Sequence, residues 1–470
     1  MKLSHLFPTD IGREPLTPEL LAQFNQEFYS DRKNILAQNV CTKYDPYEVC
    51  VTRKVEDIKL HVYNIKLDSE AKPVTNQESS GRCWLFAALN VMRLPFMKKC
   101  GIDDFEFSQS YLFFWDKIER AHFWLNTIVS TAKQGEEVDG RLLGFLLKDP
   151  IPDGGQWDMI VNLVNKYGVM PKKCFPESHN SRRSLRLNSI IKTKLREFAK
   201  ELRDKVDSGA SDTCLENAIK TQVKVIYNIV ATCLGTPPQK FKFEYYNKDK
   251  SYHAIGPITP LEFYNNHVKP TYDIDSKVCL VSDPRPSNPF GNLYTLHCLG
   301  NVVGGKPTAY NNQPIEVLIK AVKDSIEGGE AVWFGCEVSK RFDRKSGFED
   351  LDAHDFDVTF NTDIHIGMNK SDRLIYGDSC MTHAMIFTAV GTDDKGNPEK
   401  FRVENSYGDK EFDKGYLLLT EPWFREFVFE VVVDKKYVDK KVLDVFKQEA
   451  KVLPAWDPMG TLACTFCQEK

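Results

Sequence analysis

The chain has no long hydrophobic run. No stretch of about 18 consecutive apolar residues occurs in its 470 residues, so no membrane-spanning helix is expected. It also lacks charge of one sign. A net charge of −4 leaves no global field that would attract nucleic acid, although a local basic surface stays compatible with it. The opening Met-Lys-Leu-Ser-His-Leu-Phe-Pro-Thr-Asp has no apolar core of the kind a secretory signal needs. The 13 cysteines are odd in number and scattered, without the spacing of a disulfide framework. They read as reduced thiols, mostly buried as small hydrophobes, with the cytoplasm as the expected compartment. Internal repeats and low-complexity tracts are missing. Gly304-Gly305 lacks the lysine and helix context of a phosphate loop. Cys464-x-x-Cys467 is half a zinc spacing without a second Cys/His pair, and His354, His365 and His383 do not fall at ligand spacing. No metal and no organic cofactor is expected.

What is present is an ordinary globular composition, 42% hydrophobic and 27% charged, in a chain long enough for two or three lobes. Thr17 to Tyr29 reads as an amphipathic helix. From Cys83 to Tyr167 the pattern is mainly helical, with Ser108 the expected cap of an aromatic-rich helix through Trp115 and Phe123. A second helical block spans 181–235. In it Thr213 and Glu216 read as a capping box, Leu215, Ile219, Ile226 and Val230 mark one face, and Gly235 marks the end. Strand-like runs follow at Phe241–Tyr245, Val278–Val281, Ala331–Val338, Met385–Val390 and Phe401–Asn405. Tyr437 to Lys451 reads as a last helix. Helices in the first half and strands in the second make an α+β pattern.

Cys83 opens the apolar run Trp84–Met92 and so begins a helix, where the positive end of the dipole favours thiolate over thiol. Gln77, six residues upstream, offers a carboxamide N–H for the oxyanion that forms when a thiolate attacks a carbonyl. A cysteine nucleophile needs a base, and the base needs an orienting partner. Among ten histidines, His383 stands at the entry of a β-run, in Ser379-Cys-Met-Thr-His-Ala-Met, beside the small Ala384. Asn405, in Val403-Glu-Asn-Ser-Tyr-Gly, ends another strand. A neutral amide there fixes the imidazole tautomer without adding negative charge, and Tyr407 covers the bond from water. Taken singly, each has a plainer reading: a packed thiol, a strand-edge histidine, a turn. Gln, Cys, His and Asn in this order and in these local settings point to one catalytic set.

The order and motifs resemble the papain-like cysteine peptidases, whose signature around the nucleophile is Cys-Gly-Ser/Ala-Cys-Trp/Tyr. Here it reads Ser80-Gly-Arg-Cys-Trp. Ser80 replaces the disulfide cysteine of secreted members, in keeping with a reducing compartment. His383 lies 300 residues after Cys83, about twice the ~130–150 usual in papain, so insertions are expected, 181–235 among them. Further strings narrow the likeness to the bleomycin hydrolase and aminopeptidase C branch. They are Asn-Val-Met-Arg-Leu-Pro-Phe-Met-Lys-Lys (90–99), Asp-Gly-Gly-Gln-Trp-Asp-Met (153–159), Val-Trp-Phe-Gly-Cys (332–336), Met-Thr-His-Ala-Met (381–385) and Leu-Pro-Ala-Trp-Asp-Pro-Met-Gly (453–460).

The resemblance implies a two-lobed papain-like fold with a helical left lobe and a β-rich right lobe. Its expected divisions are an N-terminal oligomerisation arm (1–65), the left lobe (66–180), a helical insertion (181–240), the right lobe (241–433) and a C-terminal helix and arm (434–470). It implies Cys83 as nucleophile, His383 as general base and then acid, Asn405 as orienter, and Gln77 with the Cys83 N–H as oxyanion hole. Gly154 and Gly155 match the glycine pair along which substrate backbone lies; their plainer reading is a turn before the helix near Trp157. It further implies a homohexamer, peptide substrates with a free N-terminus, and hydrolysis of the bleomycin carboxamide. The arm's terminal carboxylate, matching Ala463, would pair with the substrate α-amine. This chain continues seven residues beyond Ala463, so trimming of that extension, or altered specificity, is expected. Tyr407 stands where the family usually has tryptophan. Two rival classes remain: a Cys-His acyltransferase, which Asn405 in place of aspartate disfavours, and a nucleic-acid-binding protein, which the near-neutral charge disfavours.

Overall fold

Strands of the second half that are buried on both faces, rather than alternating, dictate a sheet covered on both sides. A computed structural model of the chain describes residues 15–461 apart from 55–58, 69, 71 and 365. Across the main sheet the strands run Lys451–Leu453, Asn292–Leu296, Tyr310–Asn312, Lys277–Val281, Val428–Asp434, Val332–Cys336, His383–Thr392, Pro398–Glu404, Tyr416–Thr420, Phe348–Glu349 and Phe342–Asp343. Ile65–Lys66 pairs with His383–Thr392 off this path. At its centre Val332–Cys336 is antiparallel to both neighbours and wholly buried. The register sets His383 opposite Cys336 and Ala384 opposite Gly335.

The helical half is built around Cys83–Cys100, whose first eleven residues are all buried. Such a helix, buried on every side, belongs in a core rather than on a surface. It ends where Gly101 takes φ +62°, its N–H meeting the carbonyls of Lys98 and Met97. Gln109–Lys133 begins as expected at Ser108, whose Oγ accepts from the Tyr111 N–H at 3.1 Å. Helices Leu185–Asp207 and Asp212–Leu234 lie against it and bury Leu215, Ile219, Ile226 and Val230. The α+β expectation holds.

Two local readings are corrected, and a third, a strand, is borne out in an unexpected place. The cap of Asp212–Leu234 is Ser211, not Thr213: Ser211 is extended and its Oγ accepts from the Cys214 N–H at 3.3 Å, leaving the Thr213–Glu216 pair inside the first turn. The alternation at Phe241, Phe243 and Tyr245 does form a strand, but it pairs only with Tyr252–Ile258, apart from the main sheet and packed on the helical core through Phe105 and Phe263. Tyr437 to Lys451 is not one helix. It breaks into short turns at Lys435–Tyr437, Lys440–Leu443 and Asp444–Lys447, then enters the strand Lys451–Leu453 beside Asn292–Leu296. Burial of Val438 and Val445 and a ladder to Tyr294 outweigh a helical pattern too short to hold alone.

The halves are joined by buried polar bonds. Arg93, on the Cys83 helix, pairs with Glu404 at 2.7 Å, both side chains 1% exposed. The same guanidinium donates to the carbonyls of Pro73 (2.8 Å) and Phe105 (3.2 Å). Trp333 Nε1 donates to the Trp84 carbonyl at 3.3 Å. Arg93→Met leaves Glu404 buried and unpaired and is expected to cost roughly 3–5 kcal/mol. Adding Glu404→Leu should recover much of it. Denaturant melts of the two variants measure this, and equal stability of Arg93→Met and wild type would refute the role of the pair.

Candidate active site

The segment before Cys83 is held in place by its own side chains. Ser80 Oγ donates to the Gln77 carbonyl at 2.7 Å and accepts from Arg82 Nε at 2.9 Å. Arg82 is buried, paired with Glu177 at 2.9 Å and flanked by the rings of Phe86 and Phe113. Gly81 N–H donates to Asp153 Oδ2 at 3.1 Å, and Trp84 Nε1 donates to the Asp153 carbonyl at 2.7 Å. Cys83 is thereby set at the first position of its helix, as its sequence setting predicts.

On the opposite wall His383 begins its strand. Asn405 Oδ1 lies 2.9 Å from His383 Nε2 and accepts from the Ser406 N–H at 2.7 Å. Because that oxygen takes a backbone N–H, the amide's orientation is determined and Nε2 must carry the imidazole proton. Nδ1 is then the free nitrogen, and it is buried with no hydrogen-bond partner among the described residues. The Tyr407 ring lies 5.2 Å from the imidazole, tilted by 33°. Cys83, His383 and Gly155 line one cavity of about 20 Å³, with Trp84, Gln156, Trp333, Gly335, Met381, Ala384 and Thr461. That is room for about one water.

Burial pushes the Cys83 thiol up to about 11, against the N–H groups of Ala384, Trp84 and Cys83 itself, which favour thiolate. Burial likewise lowers His383 to about 4, with the Asn405 bond acting in the opposite direction. The helix-terminus preference for thiolate is therefore present but outweighed by burial while each group is charged alone. Moving the proton from sulfur to Nδ1 creates both charges together, and their attraction in a dry site opposes the burial term.

Gln77 is completely buried and is not among the residues lining the cavity. Its Nε2 donates to the Ser80 carbonyl at 2.6 Å, its Oε1 accepts from Ser406 Oγ at 2.6 Å, and its N–H reaches the Ser406 carbonyl at 2.9 Å. An amide nitrogen carries two hydrogens, and this accounts for one. The carbonyl of Gly154 accepts from Arg120 at 2.6 Å, so of the glycine pair only Gly155 reaches the cavity. Ala463 and the extension after it lie outside the described residues.

Asp153, Gln156 and Thr461 were not singled out by sequence. Asp153 is fully buried, paired with Lys117 Nζ at 2.7 Å and bonded by Asn188 Nδ2 at 2.6 Å and by Ser184 Oγ. Burial alone would raise its carboxyl; the Lys117 ammonium and these bonds outweigh it and hold the group well below the usual range. The signal available was position: Asp153 and Gln156 bracket the glycine pair, and Thr461 follows the string ending at Gly460.

The model of the peptidase C1-like family matches residues 15–460. Bleomycin hydrolase of Gallus gallus is 53% identical over 450 residues, 95% of this chain and 99% of that protein. Aminopeptidase C of Lactococcus lactis is 37% identical over 449 residues, 95% of this chain and 100% of that protein. Among solved structures, PepW of Lactobacillus rhamnosis superposes with a TM-score of 0.91 at 39% identity, over 96% of this chain and 99% of that one.

Gly155 has a steric reason to be glycine, since a Cβ there would lie 2.6 Å from the buried Trp84 ring. Gly155→Ala must displace that ring or its own loop, an overpacking cost of about 1–3 kcal/mol. A lower melting temperature together with reduced peptide-reporter turnover is expected; wild-type values of both would contradict the close approach.

Proposed function

The chain belongs to the peptidase C1-like family as a cysteine aminopeptidase of the bleomycin hydrolase and aminopeptidase C kind, and we propose that Cys83 is its nucleophile, His383 its general base and acid, and Asn405 the orienting residue. One observation carries this assignment: Asn405 leaves Nδ1 of His383 unpartnered in the cavity it shares with Cys83. Nδ1 takes the thiol proton, the thiolate attacks the scissile carbonyl, and the imidazolium returns the proton to the departing amine. Water, deprotonated by the same nitrogen, then releases the acid from the thioester. The second hydrogen of Gln77 Nε2 and the Cys83 N–H serve the oxyanion. Gly155, with Gly154 beside it, carries the substrate backbone. No metal or organic cofactor enters these steps.

Substrates are peptides with a free N-terminus, and the bleomycin carboxamide is a further one. The arm formed by 434–470 supports this restriction, because Thr461 already stands in the cavity beside Cys83. In this reading hydrolysis of the bond after Ala463 removes the seven-residue extension, and the carboxylate so freed on Ala463 meets the substrate α-amine. Residues 66–180 act as left lobe, 181–240 as insertion and 241–433 as right lobe, less the hairpin Phe241–Ile258 that packs on the helical core. Ser80 in place of a disulfide cysteine supports a cytoplasmic protein. Hydrolysis of a free-amine aminoacyl reporter, but not of its N-acetylated form, is the expected result. Cys83→Ala should abolish it and His383→Ala should lower kcat by about 10²–10⁴. Asn405→Ala should lower it by roughly 10- to 100-fold, the loss of one bond to a charged imidazole. Equal cleavage of the acetylated reporter would overturn the aminopeptidase reading.

We assign the segment 1–65 to assembly of a homohexamer. Helix Pro18–Ser30 buries none of its residues, and Leu21, Phe24 and Phe28 form an exposed apolar stripe at helical spacing. A stripe of this kind calls for a covering partner. Phe24→Glu with Phe28→Glu is expected to convert a hexamer into smaller species in sedimentation; a wild-type protein that sediments as monomer would refute the assembly.

A further inference from the structure

The C-terminal arm is fastened at two points four residues apart, and one of them is a residue outside the proposed catalytic set. At the first, Asp457 receives both terminal nitrogens of Arg285, at 2.8 and 3.1 Å, in a pair buried from solvent. Asp283 holds the other edge of the same guanidinium, and Arg141 lies 4.2 Å over the ring of Trp456. Between the two points the backbone has little slack. Asp457 Oδ1 accepts from the Met459 N–H at 2.9 Å, Pro458–Gly460 forms a tight turn, and a Cβ on Gly460 would meet Leu296 at 2.4 Å. At the second, Gln156 Nε2 donates to the Thr461 carbonyl at 3.2 Å. Gln156 is 3% exposed and lines the same cavity as Cys83 and His383.

We propose that Gln156 is a positioning residue that latches the arm beside Cys83 and thereby sets the selection for a free substrate α-amine. Its carboxamide touches the arm, not the reacting atoms. With Asp457 clamped, the Gln156 bond fixes where the arm enters the cavity, and so how closely a substrate N-terminus is matched to it. This inference rests on the reading of the arm as the element that meets the α-amine.

A plainer role for Gln156 exists, because it immediately precedes helix Trp157–Tyr167, where an amide or a carboxylate caps equally well. Gln156→Glu separates the two. It keeps shape and capping ability but replaces the N–H donor with an oxygen facing the Thr461 carbonyl. The readout is kcat and KM for one free-amine aminoacyl reporter and its N-acetylated counterpart, in wild type, Gln156→Glu, Gln156→Ala and Asp457→Asn, each checked by thermal melting. Loss of one hydrogen bond predicts a rise in free-amine KM of about tenfold with kcat little changed, and a matching fall in the preference for the free amine. Asp457→Asn, which loosens the arm from its other end, should shift the preference in the same direction. Should Gln156→Ala fail to fold, the other two variants decide. A folded Gln156→Glu with wild-type KM and preference overturns the latch and leaves Gln156 a helix cap. If wild type itself cleaves both reporters alike, the aminopeptidase reading fails; if wild type discriminates and the variants do so equally, only the latch fails.

Discussion

The buried carboxylate of Asp153 is the bond on which the site's geometry depends. Its oxygens take the Lys117 ammonium, the Gly81 N–H two residues before Cys83, and the side chains of Ser184 and Asn188. Its carbonyl takes the indole N–H of Trp84, the residue after Cys83. Asp153 also opens the glycine pair that brings backbone to the cavity. A single charge thus sets the start of the Cys83 helix relative to the loop a substrate would follow. Ionised and fully buried, it persists because every oxygen lone pair has a donor and its countercharge is adjacent.

The second constraint is the join between the halves. Cys83 belongs to the helical half and His383 to the sheet, so their separation is a property of how the helices pack on the sheet in one shared core. Arg93–Glu404, Trp333 to the Trp84 carbonyl, and the Gln77–Ser406 bonds all cross that join. Glu404 immediately precedes Asn405, and Ser406 follows it, so the residue bonded to His383 is fixed on both sides by bonds to the helical half. Gln77 has in this arrangement a structural duty besides the oxyanion one proposed for it: it ties the nucleophile segment to the Asn405 strand end.

What was readable locally and what was not divides along physical lines. Ser108 was readable because an N-cap is decided by residues three apart. The buried face Leu215, Ile219, Ile226, Val230 was readable because a helix repeats every 3.6 residues. Tyr437–Lys451 was misread, since its short helical pattern competes with a distant strand partner at Tyr294 that local residues do not announce. Ser211 was passed over for Thr213 because two hydroxyls two residues apart both precede a helix-forming run, and only the backbone angles at Ser211 decide between them.

The amino-acid sequence by itself determined the candidate groups proposed to react: a thiol at a helix start, an imidazole at a strand entry and an amide at a strand end. These are settled by residue type and near neighbours, which is why short strings carried them. Tertiary structure alone decided that Nδ1 is the free nitrogen, that burial opposes ionisation of both partners, that Asp153 anchors the nucleophile loop, and that Thr461 reaches the cavity. Each of those depends on a contact between residues far apart in the chain, and such contacts are set by how the helices pack on the sheet.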